Sequence, residues 1–251
     1  MNIFKNIPLG LKLFGSVRRY DYFDKDIKIA RDAGDCKKEQ ELIAHATSVW
    51  TDAVFDIYDI DLTVTGKEKI PKDAPCVFIS NHQGYADIIL LFKATDGMQI
   101  SFVAKENLEK VPCIGKWIGL TRGVFIKRGD AREAVKSIQD GVDLIKKGYN
   151  LVIFPEGTRS RGPVMNEFKH GSFKLATKAK AVIIPVSING SYKMFEEREV
   201  ITKGCHAELM FHDPIPTADL DRKQIADLPI VVEKIIRDGL AELVAKDNEN
   251  K

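Results

Sequence analysis

Residues 77–92 read VFISNHQGYADIILLF, and this stretch decides how the fold is interpreted. Its first four residues form an apolar run that predicts a buried strand, and its last five predict the start of a helix. The polar residues between these runs then form a strand-to-helix turn that carries one imidazole, His82, and one carboxylate, Asp87. Such a turn at the carboxyl end of a strand is a favoured place for a site in an α/β protein.

His82 and Asp87 have the chemistry of a general base and of the group that orients it. A neutral imidazole accepts a proton from a hydroxyl near pH 7, because its ordinary pKa is about 6.5. A carboxylate on the other ring nitrogen fixes the tautomer and stabilises the imidazolium that forms. The alternative is that Asp87 caps the helix and His82 packs in the loop, which is the commoner case for an isolated pair.

Composition narrows the class of protein. A chain of 251 residues can form one domain with a full core, with or without a small appendage. The formal net charge of +2 argues against a nucleic-acid-binding protein. The four cysteines form no CxxC pair, which indicates reduced thiols in a cytosolic compartment. The histidines outside the turn lack the HxxH or HExxH spacing of a zinc site, so no metal is predicted.

Residues 1–60 are predicted to form a two-helix segment that associates with a membrane. Residues 1–22 mix apolar side chains with four basic residues and a single acid, as in helices that lie among anionic headgroups. Residues 37–58 show one apolar stripe at helical spacing. No apolar run reaches the ~18 residues of a membrane-spanning helix, and no signal peptide is predicted. The alternative for the first helix is an arm packed on the domain.

Residues 61–246 are predicted to form an α/β domain, followed by a polar tail at 247–251. Strands alternate with helices, which indicates a largely parallel central sheet flanked by helices. The predicted strands are residues 62–65, 77–80, 100–104, 123–128, 151–154, 181–186 and 206–212, and the later helices are residues 111–120, 131–147, 171–179 and one that begins at Pro229.

Three of these strands end in polar residues. The first ends in the turn that holds His82, the second in Lys127 and Arg128, and the third in residues 156–159, which read EGTR. Because parallel strands place their carboxyl ends on one edge of a sheet, these groups are expected to converge. A lone loop cation is usually solvated, but cations at successive strand ends favour a phosphate site, with Arg159 binding in a bidentate manner.

The sequence resembles the glycerolipid acyltransferases, and within them the bacterial 1-acyl-glycerol-3-phosphate acyltransferases. Four blocks in order carry the resemblance: NHQGYAD at 81–87, GVFIKR at 123–128, FPEGTRS at 154–160 and IPV at 184–186. Together they span a little under half of the chain. The HxxxxD pattern alone is weak, but with FPEGTRS at this distance it is specific.

The resemblance implies a reaction and a set of roles. His82 would remove the proton from the sn-2 hydroxyl of 1-acyl-glycerol 3-phosphate (lysophosphatidic acid), and Asp87 would orient His82. The resulting alkoxide would attack the thioester of acyl-CoA or acyl-ACP (the acyl carrier protein), giving phosphatidic acid. No covalent acyl-enzyme and no bound cofactor are implied.

The resemblance also assigns the binding residues. The groups expected to hold the glycerol phosphate are Lys127, Arg128, Glu156, Gly157, Thr158 and Arg159, and Pro185 is expected on the acyl-donor side. An oxyanion also needs a donor, and Lys105 is the candidate because it directly follows a predicted strand. The alternative for Lys105 is an ordinary surface cation at the start of a helix.

Substrates that reside in a bilayer favour a monotopic anchor in residues 1–60, on the anionic, cytoplasmic face of the cell membrane.

Two other interpretations of the function stay open. The first is a different acceptor: glycerol 3-phosphate, another lysophospholipid or an amino-acid-derived lipid of the ornithine type. The second belongs to other classes of protein: a phospholipid-binding module, or a metal-dependent hydrolase that uses His82, Asp87 and Glu156.

Overall fold

The structure is a computed structural model that describes residues 3–126 and 131–249. Its helices are α1 Ile3–Val17, α2 Asp21–Asp32, α3 Cys36–Tyr58, α4 Ala86–Ala94, α5 Ile114–Leu120, α6 Ala131–Lys146, α7 Lys174–Ala179 and α8 Arg222–Glu249. Its strands are β1 Asp61–Thr65, β2 Cys76–Ser80, β3 Ile100–Lys105, β4 Val124–Ile126, β5 Asn150–Ile153, β6 Val182–Asn189, β7 His206–Phe211 and β8 Ile215–Pro216.

The predicted α/β fold with a largely parallel sheet is confirmed. The strands lie in the order β1-β7-β6-β2-β5-β3-β4, and the short strand β8 pairs with β6. All pairs are parallel except those that β6 makes with β7 and β8. Strand β2 lies between β5 and β6, so the turn that holds His82 begins beside the loops that follow both neighbours.

Strand β2 is buried along its whole length because the sheet is covered on both faces. Successive side chains of a strand point to opposite faces. Accordingly, Phe78 packs in a core with α3 and α4, whereas Val77 and Ile79 pack in a second core with α6 and α8. The continuous apolar run in the sequence therefore reflects burial from two sides.

Residues 3–60 contain three α-helices where the sequence predicted two. Helix α3 matches the prediction to within one residue, and its side chains Ile43 and Val54 are fully buried in the same core as β2. The additional helix, α2, was missed because its few apolar residues, such as Ile27, are separated by charged ones. Among the described residues, no helix is both long and apolar enough to cross a bilayer.

The last helix begins at Arg222, so the prediction that it starts at Pro229 is wrong. Asp221 precedes the helix, and its side chain accepts hydrogen bonds from the backbone N–H groups of Lys223 and Gln224. The Gln224 side chain in turn accepts from the N–H of Asp221 at 2.8 Å. This reciprocal cap is a sequence signal in its own right, and it fixes the start of the helix seven residues before the proline.

A buried carboxylate connects the N-terminal helices to the rest of the domain. Glu39 on α3 accepts hydrogen bonds from Arg31 on α2 at 2.8 Å, from two nitrogen atoms of Arg122 at 2.8 and 2.9 Å, and from the Tyr149 hydroxyl at 2.5 Å. Arg31 also donates to the carbonyl of Leu120 at 2.6 Å. Burial by itself would raise the pKa of Glu39, but the bonds from Arg122, Tyr149 and Arg31 together hold that pKa below its ordinary value.

We expect Glu39→Gln to lower the free energy of unfolding by about 3–5 kcal/mol at pH 7, because two partly buried guanidinium groups lose their shared anion. A lowered native pKa means that this stabilisation is present above the unfolded-state pKa of about 4.3 and is lost as the pH falls through the native pKa. Urea unfolding of both proteins from pH 7 to pH 3 should therefore show a difference that shrinks under acid conditions.

The matched control is Glu41→Gln, since Glu41 is exposed two residues along the same helix. A Glu39→Gln protein as stable as this control at pH 7 would contradict the role assigned to the buried carboxylate.

Candidate active site

The turn between β2 and α4 holds His82 and Asp87 in contact. The Nδ1 atom of His82 lies 2.7 Å from Oδ2 of Asp87, whose carboxylate is fully buried. The same oxygen accepts a hydrogen bond from the backbone N–H of Gly84 at 3.0 Å, two residues before α4. The alternative that Asp87 caps the helix is wrong, because Asp87 is the second residue of α4 and the helix has no side-chain cap among the described residues; its carboxylate orders the turn and orients the imidazole.

The imidazole of His82 is held on a second side by an aromatic ring. Its plane stacks on Phe154 with a centroid separation of 4.1 Å and an angle of 16°. Since a carboxylate only accepts hydrogen bonds, Nδ1 carries the proton of the neutral ring and Nε2 carries the lone pair. Nε2 has no hydrogen-bond partner in the described part of the chain, and the side chain remains 17% exposed. This geometry suits a general base whose Nε2 atom is available to accept a proton from a substrate.

The residue before the histidine fixes the turn to the neighbouring strand. The side chain of Asn81, fully buried, donates to the carbonyl of Ile188 at 2.9 Å and accepts from the N–H of Ile188 at 2.8 Å. An amide side chain thus continues the pairing between β2 and β6 for one position beyond the strand. The block NHxxxxD needs its asparagine for this reason.

The loop after β5 is bonded along the His82 turn. The N–H of Ser160 donates to the carbonyl of His82 at 2.7 Å, and the N–H of Arg161 donates to the carbonyl of Gln83 at 3.1 Å. Gly157 in this loop has φ of +67°, a conformation that glycine adopts without strain. The structure therefore brings together two of the three polar segments that were predicted to converge, the His82 turn after β2 and the loop after β5.

Glu156 binds the backbone of His82 and so helps to position this residue. One of its oxygens accepts from the backbone N–H of His82 at 2.6 Å, and the other accepts from the N–H and side chain of Asn166 at 2.9 and 2.7 Å. Burial raises the pKa of this carboxyl group, although the bonds from Asn166 and His82 oppose that shift. Because both oxygens have protein partners, the placement favours a positioning role over the predicted contact with the phosphate.

Arg159 is fixed by two neighbours that the sequence did not indicate. Its guanidinium carbon lies 3.6 Å from the ring centroid of Tyr85, and its Nη1 atom lies 2.6 Å from Oε1 of Glu196. Tyr85 belongs to the His82 turn, so the arginine packs against the turn that carries the base. Glu196 lies outside the four sequence blocks, and no motif marks it.

Three more of the predicted site residues belong to the described part of the chain, in or after three different strands. Lys105 is the last residue of β3 and is exposed, and Thr158 is exposed in the loop after β5. Pro185 is buried in β6 opposite Ile79. Lys127 and Arg128 lie outside the described residues. Within residues 3–126 and 131–249, no group of three or more His, Cys, Asp or Glu side chains is placed to hold a metal ion.

A family model described as "Acyltransferase" matches residues 61–189, which is about half of the chain. The chain belongs to this acyltransferase family. The match begins with β1 and ends with β6, so it includes the His82 turn and the loop after β5. The matched region does not include helices α1 to α3 or Glu196 of this acyltransferase.

Two curated relatives match about two thirds or more of the chain. The chloroplastic 1-acyl-sn-glycerol-3-phosphate acyltransferase LPAT1 of Arabidopsis thaliana is 31% identical over 67% of this chain and 47% of its own length. The 1-acyl-sn-glycerol-3-phosphate acyltransferase of Borreliella burgdorferi is 28% identical over 73% of this chain and 71% of its own. The chain spans about half the length of the plant relatives it matches.

A solved structure matches almost the whole acyltransferase. The crystal structure of the 1-acyl-sn-glycerophosphate (LPA) acyltransferase PlsC from Thermotoga maritima has a TM-score of 0.78 and 27% sequence identity. The match covers 98% of each chain. The similarity therefore extends to the three N-terminal helices and to α8, beyond the region of the family model.

Proposed function

We propose that this acyltransferase transfers a fatty acyl group from an acyl thioester to the sn-2 hydroxyl of lysophosphatidic acid and so forms phosphatidic acid. The observation that carries the proposal is the 2.7 Å contact between His82 and Asp87, which leaves Nε2 of His82 without a hydrogen-bond partner among the residues that the structure describes. The relatives described above are 1-acyl-sn-glycerol-3-phosphate acyltransferases, which supports this acceptor.

The reaction proceeds by direct transfer. Nε2 of His82 accepts the proton of the sn-2 hydroxyl while its oxygen attacks the thioester carbonyl, which forms the new C–O bond. The tetrahedral intermediate then expels the thiolate by breaking the C–S bond, and the imidazolium returns its proton to sulfur. Asp87 stabilises the positive ring between these two steps, because its buried carboxylate lies against Nδ1.

The acceptor is held by its phosphate. Arg159 lies beside the His82 turn and presents a cation to that group, and charge-assisted bonds to phosphate are the strong ones. Lys127, Arg128, Gly157 and Thr158 complete the phosphate site in this proposal. Lys105, at the end of β3, stabilises the oxyanion in this proposal, and Pro185 lies on the acyl-donor side, as the resemblance of its block implies.

An acceptor panel on the purified protein tests this function. We expect kcat/KM for lysophosphatidic acid to exceed that for the matching monoacylglycerol by at least about 100-fold, because hydrogen bonds to charged groups contribute about 1.5–3 kcal/mol each. Each acceptor should be assayed with acyl-CoA and with acyl-ACP, with and without a chelator, and this comparison also identifies the donor.

Two results would contradict the proposal. One is a preference for glycerol 3-phosphate, another lysophospholipid or an amino-acid-derived lipid over lysophosphatidic acid. The other is turnover that disappears in chelator or that does not require a thioester, as expected of a metal-dependent hydrolase.

We further propose that α1, within the predicted anchor of residues 1–60, attaches the enzyme to the anionic, cytoplasmic surface of the membrane. Helix α1 turns Leu9 and Leu13 toward the core, yet Ile7 and Leu11 on the same helix are 45% and 67% exposed. Basic residues accompany these apolar side chains along residues 1–22. A helix with exposed apolar residues and basic flanks favours the interface of an anionic bilayer.

The double variant Ile7→Glu/Leu11→Glu should bind vesicles of phosphatidylglycerol and phosphatidylcholine at least about tenfold more weakly in a sedimentation assay. Burial of one such side chain contributes roughly 1.5–3 kcal/mol, and each glutamate is also repelled by the anionic lipid. Point substitutions are preferable to removal of residues 1–60, because α3 belongs to the core of the domain.

The control is Ile230→Glu/Val231→Glu, which changes two exposed apolar residues on α8. Equal loss of vesicle binding in both double variants, or no loss in either, would place the membrane contact elsewhere.

A further inference from the structure

Glu196 connects the His82 turn with the loop after β5. It follows the short turn after β6, beyond the residues that the family model matches. Its Oε1 atom accepts a hydrogen bond from Nη1 of Arg159 at 2.6 Å and another from the backbone N–H of Tyr85 at 3.0 Å. One buried oxygen therefore connects the loop that carries the cation with the turn that carries the base.

The carboxylate also packs against that turn. A Cβ atom added to Gly84 would lie 2.4 Å from Oε2 of Glu196, so the glycine is needed for this close approach. The N–H of Gly84 donates to Asp87, which orients His82. Only 2% of the Glu196 side chain is exposed. Such burial sets it apart from a solvated surface carboxylate and makes its position specific.

Arg159 is consequently fixed before any ligand binds. The face of its guanidinium group lies on Tyr85, and Nη1 is bonded to Glu196, while the side chain stays 19% exposed. Of the three guanidinium nitrogen atoms of Arg159, only Nη1 has a hydrogen-bond partner in the described part of the chain. The Nε and Nη2 donors are thus left for an anion, in an orientation set by the protein.

We propose that Glu196 is a positioning residue that holds Arg159 ready for the phosphate of the acceptor, at a fixed separation from His82. This inference rests on the proposed function, in which Arg159 binds that phosphate. A guanidinium group stays charged next to a carboxylate or an amide, so Glu196 changes its orientation and not its charge state. A side chain ordered in advance loses less freedom on binding, which lowers the concentration of acceptor that is needed.

The test compares Glu196→Gln with Glu197→Gln, the same change at the exposed neighbouring residue. We expect Glu196→Gln to raise KM for lysophosphatidic acid roughly tenfold, because a neutral acceptor holds a guanidinium group much less firmly than a carboxylate does. The KM for the thioester and kcat should stay near the wild-type values, since the glutamine oxygen still accepts from Tyr85. Glu197→Gln should leave all three parameters unchanged.

A double-variant cycle shows whether Glu196 acts through the arginine. In an Arg159→Gln background, Glu196→Gln should add no further rise in KM for the acceptor. Thermal unfolding verifies that each variant is folded. If Glu196→Gln does not fold, Glu196→Asp takes its place, because it withdraws the carboxylate by one methylene and should raise the same KM.

The outcomes separate this inference from the function on which it rests. An inactive wild-type enzyme with lysophosphatidic acid would overturn the proposed function, and this inference with it. Wild-type turnover with an unchanged KM in Glu196→Gln would overturn the inference alone. A fall in KM would also overturn it, because Glu196 would then compete with the phosphate for Arg159. An equal effect in the Arg159→Gln background would show that Glu196 acts elsewhere.

Discussion

The short hydrogen bond between His82 and Asp87 is the interaction on which the rest of the site depends. It exists because a fully buried strand ends in the middle of the sheet and a helix begins six residues later. Asn81 and Glu156 secure the turn from the strands on either side. A five-residue spacing in the sequence thereby becomes a rigid pair with one ring nitrogen left for a substrate.

The sequence was sufficient for the features that depend on local pattern. The apolar run of β2, the stripe of α3 and the spacing of His82 and Asp87 all predicted what the structure shows. It was insufficient where residues far apart in the chain meet. The carboxylates of Glu156 and Glu196 acquire their partners only through tertiary contacts, so no local signal shows which groups they hold.

A continuous series of aromatic contacts connects the site with the N-terminal helices. In order, the rings are His82, Phe154, Phe102, Phe92, Trp117 and Trp50, with successive centroids 4.1 to 6.1 Å apart. Trp50 belongs to α3, and Leu9 and Leu13 of α1 pack against the same hydrophobic core. The helix proposed to meet the membrane is therefore connected through close-packed side chains to the ring that stacks on the imidazole, and close packing of this kind transmits small displacements.

The most direct test of the central claim is the turnover of His82→Ala with lysophosphatidic acid and an acyl thioester, measured with its thermal unfolding. The account predicts a fall in kcat of roughly 10²–10⁴-fold, as expected for loss of a general base, in a protein that still unfolds cooperatively. Wild-type turnover by a normally folded His82→Ala protein would show that another group removes the proton, and would contradict the account.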